Sequence, residues 1–453
     1  MVLEAWRRPE EAVRNGSMPK VALLNIGCKV NQAELEELGL DLVRAGIELV
    51  RDPIKADLCV LNTCTVTAES DRKCRKAVKS LVSRGARLVV AGCFAQRFME
   101  DIERLPGVKA VITNAEKESW AKKVMELLLP SLKEEPSTVP EKGEIARFRA
   151  RGFLKVQEGC DRHCSYCIVP LVRGGERSLD PREVLQRAEE LLQQGVEELV
   201  ICGTNLGRYS WKGMDLGALV GEILALGGSF RVRLSSVEPE DLKEEWVLGW
   251  RNSGRVCPHL HLPLQSGSAR LLRDMGRGYG PAEFLGLWER VSGTWPGCVL
   301  TTEVIVGYPG ENDQDFAETV KVLKSTRPVK LHVFRYSPRQ GTRAALRADQ
   351  VDPSVKARRS RQLIELGREL RCKYMHDRVG GRCRMVVEEV CKGIAGLEAR
   401  GTTEDYLKGR IILDREADHQ RLVGRTVEGI IVGVEGEEVL VKTVSCTEAE
   451  GGS

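Results

Sequence analysis

The chain has 453 residues, 42% of them hydrophobic and 30% charged, which excludes a largely disordered protein and suffices for two or three globular domains. Lys and Arg number 69 against 65 Asp and Glu, so the net charge of +4 permits nucleic-acid binding without demanding it. The 15 cysteines, an odd number, exclude a complete disulfide framework, and no apolar run reaches the ~18 residues of a membrane span. The expectation is a cytoplasmic protein in a reducing compartment, with metal ligation as the leading use of clustered thiols.

Residues 1–17 are charged, with no apolar signal core, and read as an extension outside the fold. From 18 to 129, apolar runs alternate with helical patterns. "VALLNIG", "DLCVLNT", "ARLVVAG" and "VKAVIT" read as strands, while "QAELEELGLDLVRAG" and "DRKCRKAVKSLVSRG" read as helices. This βαβ grammar predicts a parallel sheet. Residues 130–149 lose the periodicity, carry three prolines and read as a linker. Between 150 and 375 the strand-then-helix pattern recurs about six times, through "FLKVQEG", "ELVICGTN", "RVRLSSVE", "HLHLPLQS", "VLTTEVIVG" and "KLHVFRYS". Six repeats, where a closed barrel needs eight, predict an open barrel with its site at the C-terminal strand ends. The stretch "DPSVKARRSRQLIELGRELRCKYMHD" then reads as one long helix. Its segment 356–373 holds seven Lys or Arg against Glu365 and Glu369. From 376 to 445, short alternating strands with glycine turns predict a small β-barrel, and 446–453 form a tail.

Two sets of cysteines carry the chemistry. In "QEGCDRHCSYCIVP", Cys160, Cys164 and Cys167 fall on the loop after the first barrel strand. Structural zinc takes four ligands, and His163 keeps such a site open. Three thiolates at CxxxCxxC spacing can instead each hold one iron of a [4Fe-4S] cubane, leaving the fourth iron without a protein ligand. Cys28, Cys64 and Cys93 each close an N-terminal strand, and parallel strands gather their C-terminal ends on one edge, where open α/β sheets bind ligands. Ordinary buried cysteines are the alternative there. Cys59 and Cys74 read as structural, with Cys74, between Lys73 and Arg75, as the candidate spare ligand or reactive thiol. Cys202, Cys257, Cys298, Cys372, Cys383, Cys391 and Cys446 share no spacing and read as packing or surface residues.

The CxxxCxΦC motif, with Tyr166 as the aromatic, at the start of a six-fold βα barrel resembles the radical S-adenosylmethionine (SAM) enzymes. Together with the dispersed N-terminal triad and the terminal β-barrel, it resembles the methylthiotransferases within that superfamily, over residues 19–445. The resemblance implies an N-terminal α/β domain, an open (β/α)6 radical SAM barrel and a C-terminal TRAM-like β-barrel. It implies two [4Fe-4S] clusters, a SAM-cleaving one on Cys160, Cys164 and Cys167 and a sulfur-delivering one on Cys28, Cys64 and Cys93. It further implies two SAM molecules per turnover, one donating the methyl group and one yielding the radical that abstracts hydrogen from adenine C2. A reductant and a sulfur source are required partners, and no membrane is. "GCKVNQAE", "QEGCDRHCSYCIVP" and "HLHLPLQSGS" look like the branch acting on N6-threonylcarbamoyladenosine at tRNA position 37, beside the anticodon. Branches acting on isopentenyladenosine in tRNA or on a ribosomal protein are alternatives, as is a non-catalytic zinc protein that binds RNA. Ala33, Glu303, Arg335 and Arg343 depart from the branch's usual Tyr, Asp, Pro and Pro, and none removes a cysteine.

Position in an open barrel makes Gly203, Asn205, Ser235, Ser236 and Gln265 candidate SAM contacts, although Gly, Asn and Ser are also ordinary turn residues, and Tyr166 of the cysteine loop is a further cofactor-binding candidate. "VIVGYPGE" resembles the superfamily's glycine-rich stretch near adenine. For RNA, the terminal module counts 11 Lys or Arg against 13 Asp or Glu over 376–445 and is not basic. The helix over 356–373 is the better electrostatic candidate. Tyr406 stands where the family's barrel has an aromatic, or is a core tyrosine.

Overall fold

The computed structural model describes residues 18–128, 150–393, 396–413 and 422–444, so the extension, linker and tail, with Cys446, lie outside the described residues. The chain forms two compact units. Among the described residues, the first comprises 18–128 with 168–174, and the second comprises 150–167 with 175–444.

In the first unit β1 (Lys20–Ile26), α1 (Lys29–Arg44), β2 (Glu48–Val50), β3 (Leu58–Thr63), α2 (Ala68–Ser83), β4 (Leu88–Gly92), α3 (Cys93–Arg97), α4 (Met99–Glu103), β5 (Val108–Ile112) and α5 (Trp120–Leu128) follow one another. The five strands pair in parallel in the order β2-β1-β3-β4-β5. Strands buried on both faces read as continuous apolar runs, and alternate side chains of β3 show why. Leu58 and Val60 pack with Leu35 and Leu38 of α1 and Trp120 and Val124 of α5, while Cys59 and Leu61 pack with Cys74, Val78 and Leu81 of α2. The sequence reading lacks β2, a three-residue edge strand, the short α3 and α4, and the closing helix α5. The order reverses between β1 and β3, and such a switch point opens a crevice at the C-terminal strand ends. Cys28 follows β1 and Cys64 follows β3.

The second unit holds the six anticipated parallel strands: 152–155, 198–202, 231–234, 259–261, 299–306 and 330–335. They form two three-stranded sheets in chain order, joined by an isolated parallel bridge between Ser236 and His261. Some of the helices between them start on side-chain caps: Asp180 accepts from the Arg182 amide at 2.9 Å, and Asn312 from the Asp315 amide at 2.9 Å.

Strands 382–393, 396–403, 408–413, 438–443 and 426–435 close a small barrel in that spatial order. The strand 396–403, not read from the sequence, is one of its staves. This barrel seals the N-terminal strand ends of the larger one. There Glu198, fully buried, receives the guanidinium Nε of Arg231 at 2.6 Å and of Arg233 at 2.8 Å. The same arginines donate to the carbonyls of Arg384, Thr402, Thr403 and Glu404 at 2.8–3.1 Å. Tyr406 stacks on His259 with ring centroids 4.3 Å apart, so it is a half-buried packing residue of this joint. The opposite strand ends are left to the site.

Candidate functional site

The second unit presents the CxxxCxxC loop just past its first strand, held by the barrel from several sides. The Ser165 amide donates to the Met275 carbonyl at 2.9 Å, and its hydroxyl lies 2.7 Å from that of Tyr308. The Ala344 amide donates to the Ser165 carbonyl at 2.8 Å, and Arg343 Nη2 to the His163 carbonyl at 2.6 Å. Arg343, a departure from the branch pattern, thus grips the loop backbone. Tyr166 packs against Leu271, Met275, Tyr308 and Tyr336. Burial, and then the neighbouring Cys164 and Cys167 thiols, push its hydroxyl well above the ordinary tyrosine range despite the opposing charge of Arg277.

The thiols meet N–H donors. The Arg162 amide points to Cys160 Sγ at 3.4 Å, Asn205 Nδ2 to the same sulfur at 3.8 Å, and Arg277 Nη1 to Cys164 Sγ at 3.4 Å. Arg277 is itself paired with Glu238, and Arg162 with Glu240 and Asp241. Sequence reasoning missed both arginines, because their carboxylates come from the loop after the third strand, about 40–80 positions away.

Four of the five candidate SAM contacts show what the strand ends can do. Asn205 Oδ1, Ser235 Oγ and Gln265 Oε1 are buried with no hydrogen-bond partner in the chain, as is Thr204 Oγ1. Buried polar atoms in native structures are nearly always satisfied. Their convergence past the second, third and fourth strands therefore fits a polar ligand. Gln265 also adopts a left-handed φ of 61°, uncommon for a non-glycine residue, and is fixed by donating to Glu303 at 2.8 Å. Burial alone would raise the Glu303 carboxyl, yet the hydrogen bond and charge of His261, with Gln265, hold it below its ordinary value. At Gly203 a Cβ would stand 3.0 Å from Gln157, whose Oε1 accepts from the Asn205 amide at 2.8 Å. Ser236 serves the bridge to His261. In "VIVGYPGE", Gly307 and Gly310 take left-handed φ values, and the Gly307 amide donates to Glu311 at 2.6 Å.

The first unit places Cys28 before α1, Cys64 after β3 and Cys93 at the first turn of α3. Burial, and next the neighbouring Cys28 thiol, push the Cys64 thiol up to about 12, with Cys93 adding to the effect. The three thiols are therefore electrostatic neighbours, and a cation in place of the proton is what would make such a set ligate. Among the described residues no group of three or more His, Cys, Asp or Glu is arranged to hold a single ion. A cubane distributes its thiolates over different irons, so its ligands need not converge on one point. Cys74, read from the sequence as structural with a ligand or reactive role as the other option, is fully buried. Lys73 and Arg75 lie on the exposed face of α2, Arg75 over the Phe98 ring at 4.5 Å, while the Cys74 Sγ stands 3.4 Å from the Cys64 carbonyl and burial lifts the thiol to about 11.

Beneath the triad lies a polar network invisible in the sequence. Asn31 and Glu34 of "GCKVNQAE" project from α1 into the sheet. Asn31 Nδ2 donates to Asn62 Oδ1 at 3.0 Å, Asn62 Nδ2 to Glu34 at 3.1 Å, and Lys117 and Arg173 both ion-pair with Glu34. Asn31, Glu34 and Asn62 are almost completely buried. The only signal for them was a polar residue at an apolar position, as Asn62 in "CVLNT". Gly92 takes φ 96°, and a Cβ there would stand 2.5 Å from the Thr63 carbonyl. Only glycine lets β4 turn into α3 at Cys93.

The basic helix 353–377 is less available than its composition suggests. Lys356 and Arg359 are buried, and Arg359 is paired with Glu311 and Asp313 at 2.7 and 2.8 Å.

The Radical SAM superfamily model matches residues 154–323, and that of "Uncharacterized protein family UPF0004" matches residues 20–113. Among solved structures, the radical SAM methyltransferase TsrM from Kitasatospora setae aligns with a TM-score of 0.54 at 14% identity, over 73% of this chain and 77% of that one. The open barrel, its cysteine loop and the matching model define a radical SAM enzyme, a class whose cofactors are SAM and a [4Fe-4S] cluster. Threonylcarbamoyladenosine tRNA methylthiotransferase MtaB from Thermotoga maritima is 34% identical over 430 residues, 91% of this chain and 96% of that protein. The protein of the same name from Bacillus subtilis is 34% identical over 86% of this chain and 90% of its own length. A tRNA-2-methylthio-N(6)-dimethylallyladenosine synthase from a Nocardioides species is 34% identical over 80% and 76%. The chain belongs to the radical SAM methylthiotransferase family.

Proposed function

We propose that this enzyme adds a methylthio group to C2 of N6-threonylcarbamoyladenosine at position 37 of tRNA, giving 2-methylthio-N6-threonylcarbamoyladenosine. The observation that carries the reading is 34% identity, over 91% of the chain, to a protein named for threonylcarbamoyladenosine and tRNA. In this reading Cys160, Cys164 and Cys167 hold one [4Fe-4S] cluster, and Cys28, Cys64 and Cys93 hold a second. When bound, the clusters and two SAM molecules per turnover supply the radical, sulfur and methyl chemistry that no side chain can provide. A low-potential reductant and a sulfur source complete the reaction.

The residues of the chain bind and shield. Arg277 and Asn205 direct N–H groups at Cys164 and Cys160. Asn205 Oδ1, Ser235 Oγ and Gln265 Oε1 are free to pair with the amino, carboxylate or hydroxyl groups of SAM, each according to its hydrogen-bonding character. Tyr166 and its aromatic neighbours keep the loop side dry.

The deciding measurement is mass spectrometry of tRNA nucleosides from a strain lacking the gene. Loss of 2-methylthio-N6-threonylcarbamoyladenosine, restored by the wild-type gene and not by a Cys28→Ala copy, is expected. Intact levels of that nucleoside, or loss of the isopentenyl derivative instead, would reject the substrate. Anaerobic reconstitution should load about eight irons per chain, and about four after the Cys28, Cys64 and Cys93 triple alanine change.

A further inference from the structure

Three charged side chains are buried together below the N-terminal cysteines: Glu34, Lys117 and Arg173 are 1%, 5% and 3% exposed. Two cations share one carboxylate. Arg173 Nη1 lies 2.8 Å from Glu34 Oε1, and Lys117 contacts Glu34 and, at 3.0 Å, Asn62 Oδ1. Charge is costly to bury unless it is compensated. The thiol side of the network is one contact away. Asn31, bonded to Asn62, accepts from Cys28 Sγ at 3.1 Å. Asn114 directs Nδ2 toward Cys93 Sγ at 3.6 Å and donates to the Val172 carbonyl at 2.6 Å, and Ile168 and Val172 pack directly on Cys93. Cys93 acts electrostatically on both cations, and Cys28 on Arg173.

We propose that Arg173 and Lys117 are built-in countercharges for an anionic cluster on Cys28, Cys64 and Cys93, raising its reduction potential, and that Glu34 moderates them. The inference rests on the second-cluster reading above. A [4Fe-4S] core with three thiolates is negative and gains a further charge when one electron arrives from an external low-potential donor. Fixed buried cations favour that reduced state, because net charge, hydrogen bonds to sulfur and solvent exposure set cluster potentials. They neither donate nor accept the electron.

The test uses the full chain with Cys160, Cys164 and Cys167 changed to Ala, reconstituted with iron and sulfide and titrated with dithionite under EPR detection. Arg173→Met and Lys117→Met should each move the midpoint negative by about 59 mV or more, a tenfold change in a one-electron equilibrium. Arg173→Lys should stay close to the parent, and Glu34→Gln should move positive. Should the methionine variants fail to fold, the sign of the Glu34→Gln shift decides, and a negative or absent shift overturns the proposal. A parent with about four irons and midpoints that ignore all these changes would sink the countercharge alone. A parent that takes up no iron would sink the second-cluster reading and the countercharge with it.

Discussion

Arg277 combines three roles within a few ångströms: it pairs with Glu238, donates to Cys164 Sγ and meets the Tyr279 hydroxyl at 3.3 Å. Replacing it with Met strands the Glu238 carboxylate, and breaking such a buried pair typically costs about 3–5 kcal/mol. Urea unfolding of the cluster-free protein should show a loss of that size. Glu198 supplies a pH signature. Burial alone would raise its carboxyl, but the charge of Arg233, then Arg231, overrides this and holds it well below the ordinary range. A depressed folded-state value stabilises above the unfolded carboxyl value of about 4.3 and loses that stabilisation as pH falls toward the folded one. The melting temperature should therefore drop steeply below about pH 4, and Glu198→Gln should weaken the protein at neutral pH while flattening that acid limb. The strand-end positions of the six cysteines were legible one by one, because position after an apolar run is local information. Asn31, Lys117 and Arg173 were not, since Lys117 and Arg173 meet Glu34 across 83 and 139 positions.

At the scale of elements, caps and turns carry testable energies. The long helix 353–377 begins at Asp352, which accepts from the Ser354 amide at 2.7 Å. Asp352→Ala should cost about 1 kcal/mol in chemical denaturation. Gly92→Ala is harsher. It forces a side chain onto φ 96° against the Thr63 carbonyl and should cost about 1–3 kcal/mol. Because Cys93 follows directly, the variant should also load fewer irons at the N-terminal triad, measured by iron assay in the barrel-cysteine alanine background. Long periodic elements were readable, since their burial repeats along one face. The strand 396–403 was not, because "GLEARGTT" owes its pairing to partners on both sides and not to its own weak β propensity.

At the scale of the whole molecule, four carbonyls of the small barrel satisfy the arginines that pair with Glu198. A chain stopped at residue 375 should melt at a lower temperature than the full chain, even without RNA or cofactors. The sequence showed two adjacent modules there. It could not show one compact unit, because the contacts that fuse them run from side chain to backbone and leave no residue pattern.

The first unit is discontinuous, since residues 168–174 complete it from beyond Cys167. A fragment cut at residue 128 would look like a whole domain in sequence, yet it would lack Arg173 and the two apolar side chains over Cys93. Excising the first unit as a stand-alone piece therefore removes part of its own wall. Any transplant or circular permutation must carry the 168–174 segment with it.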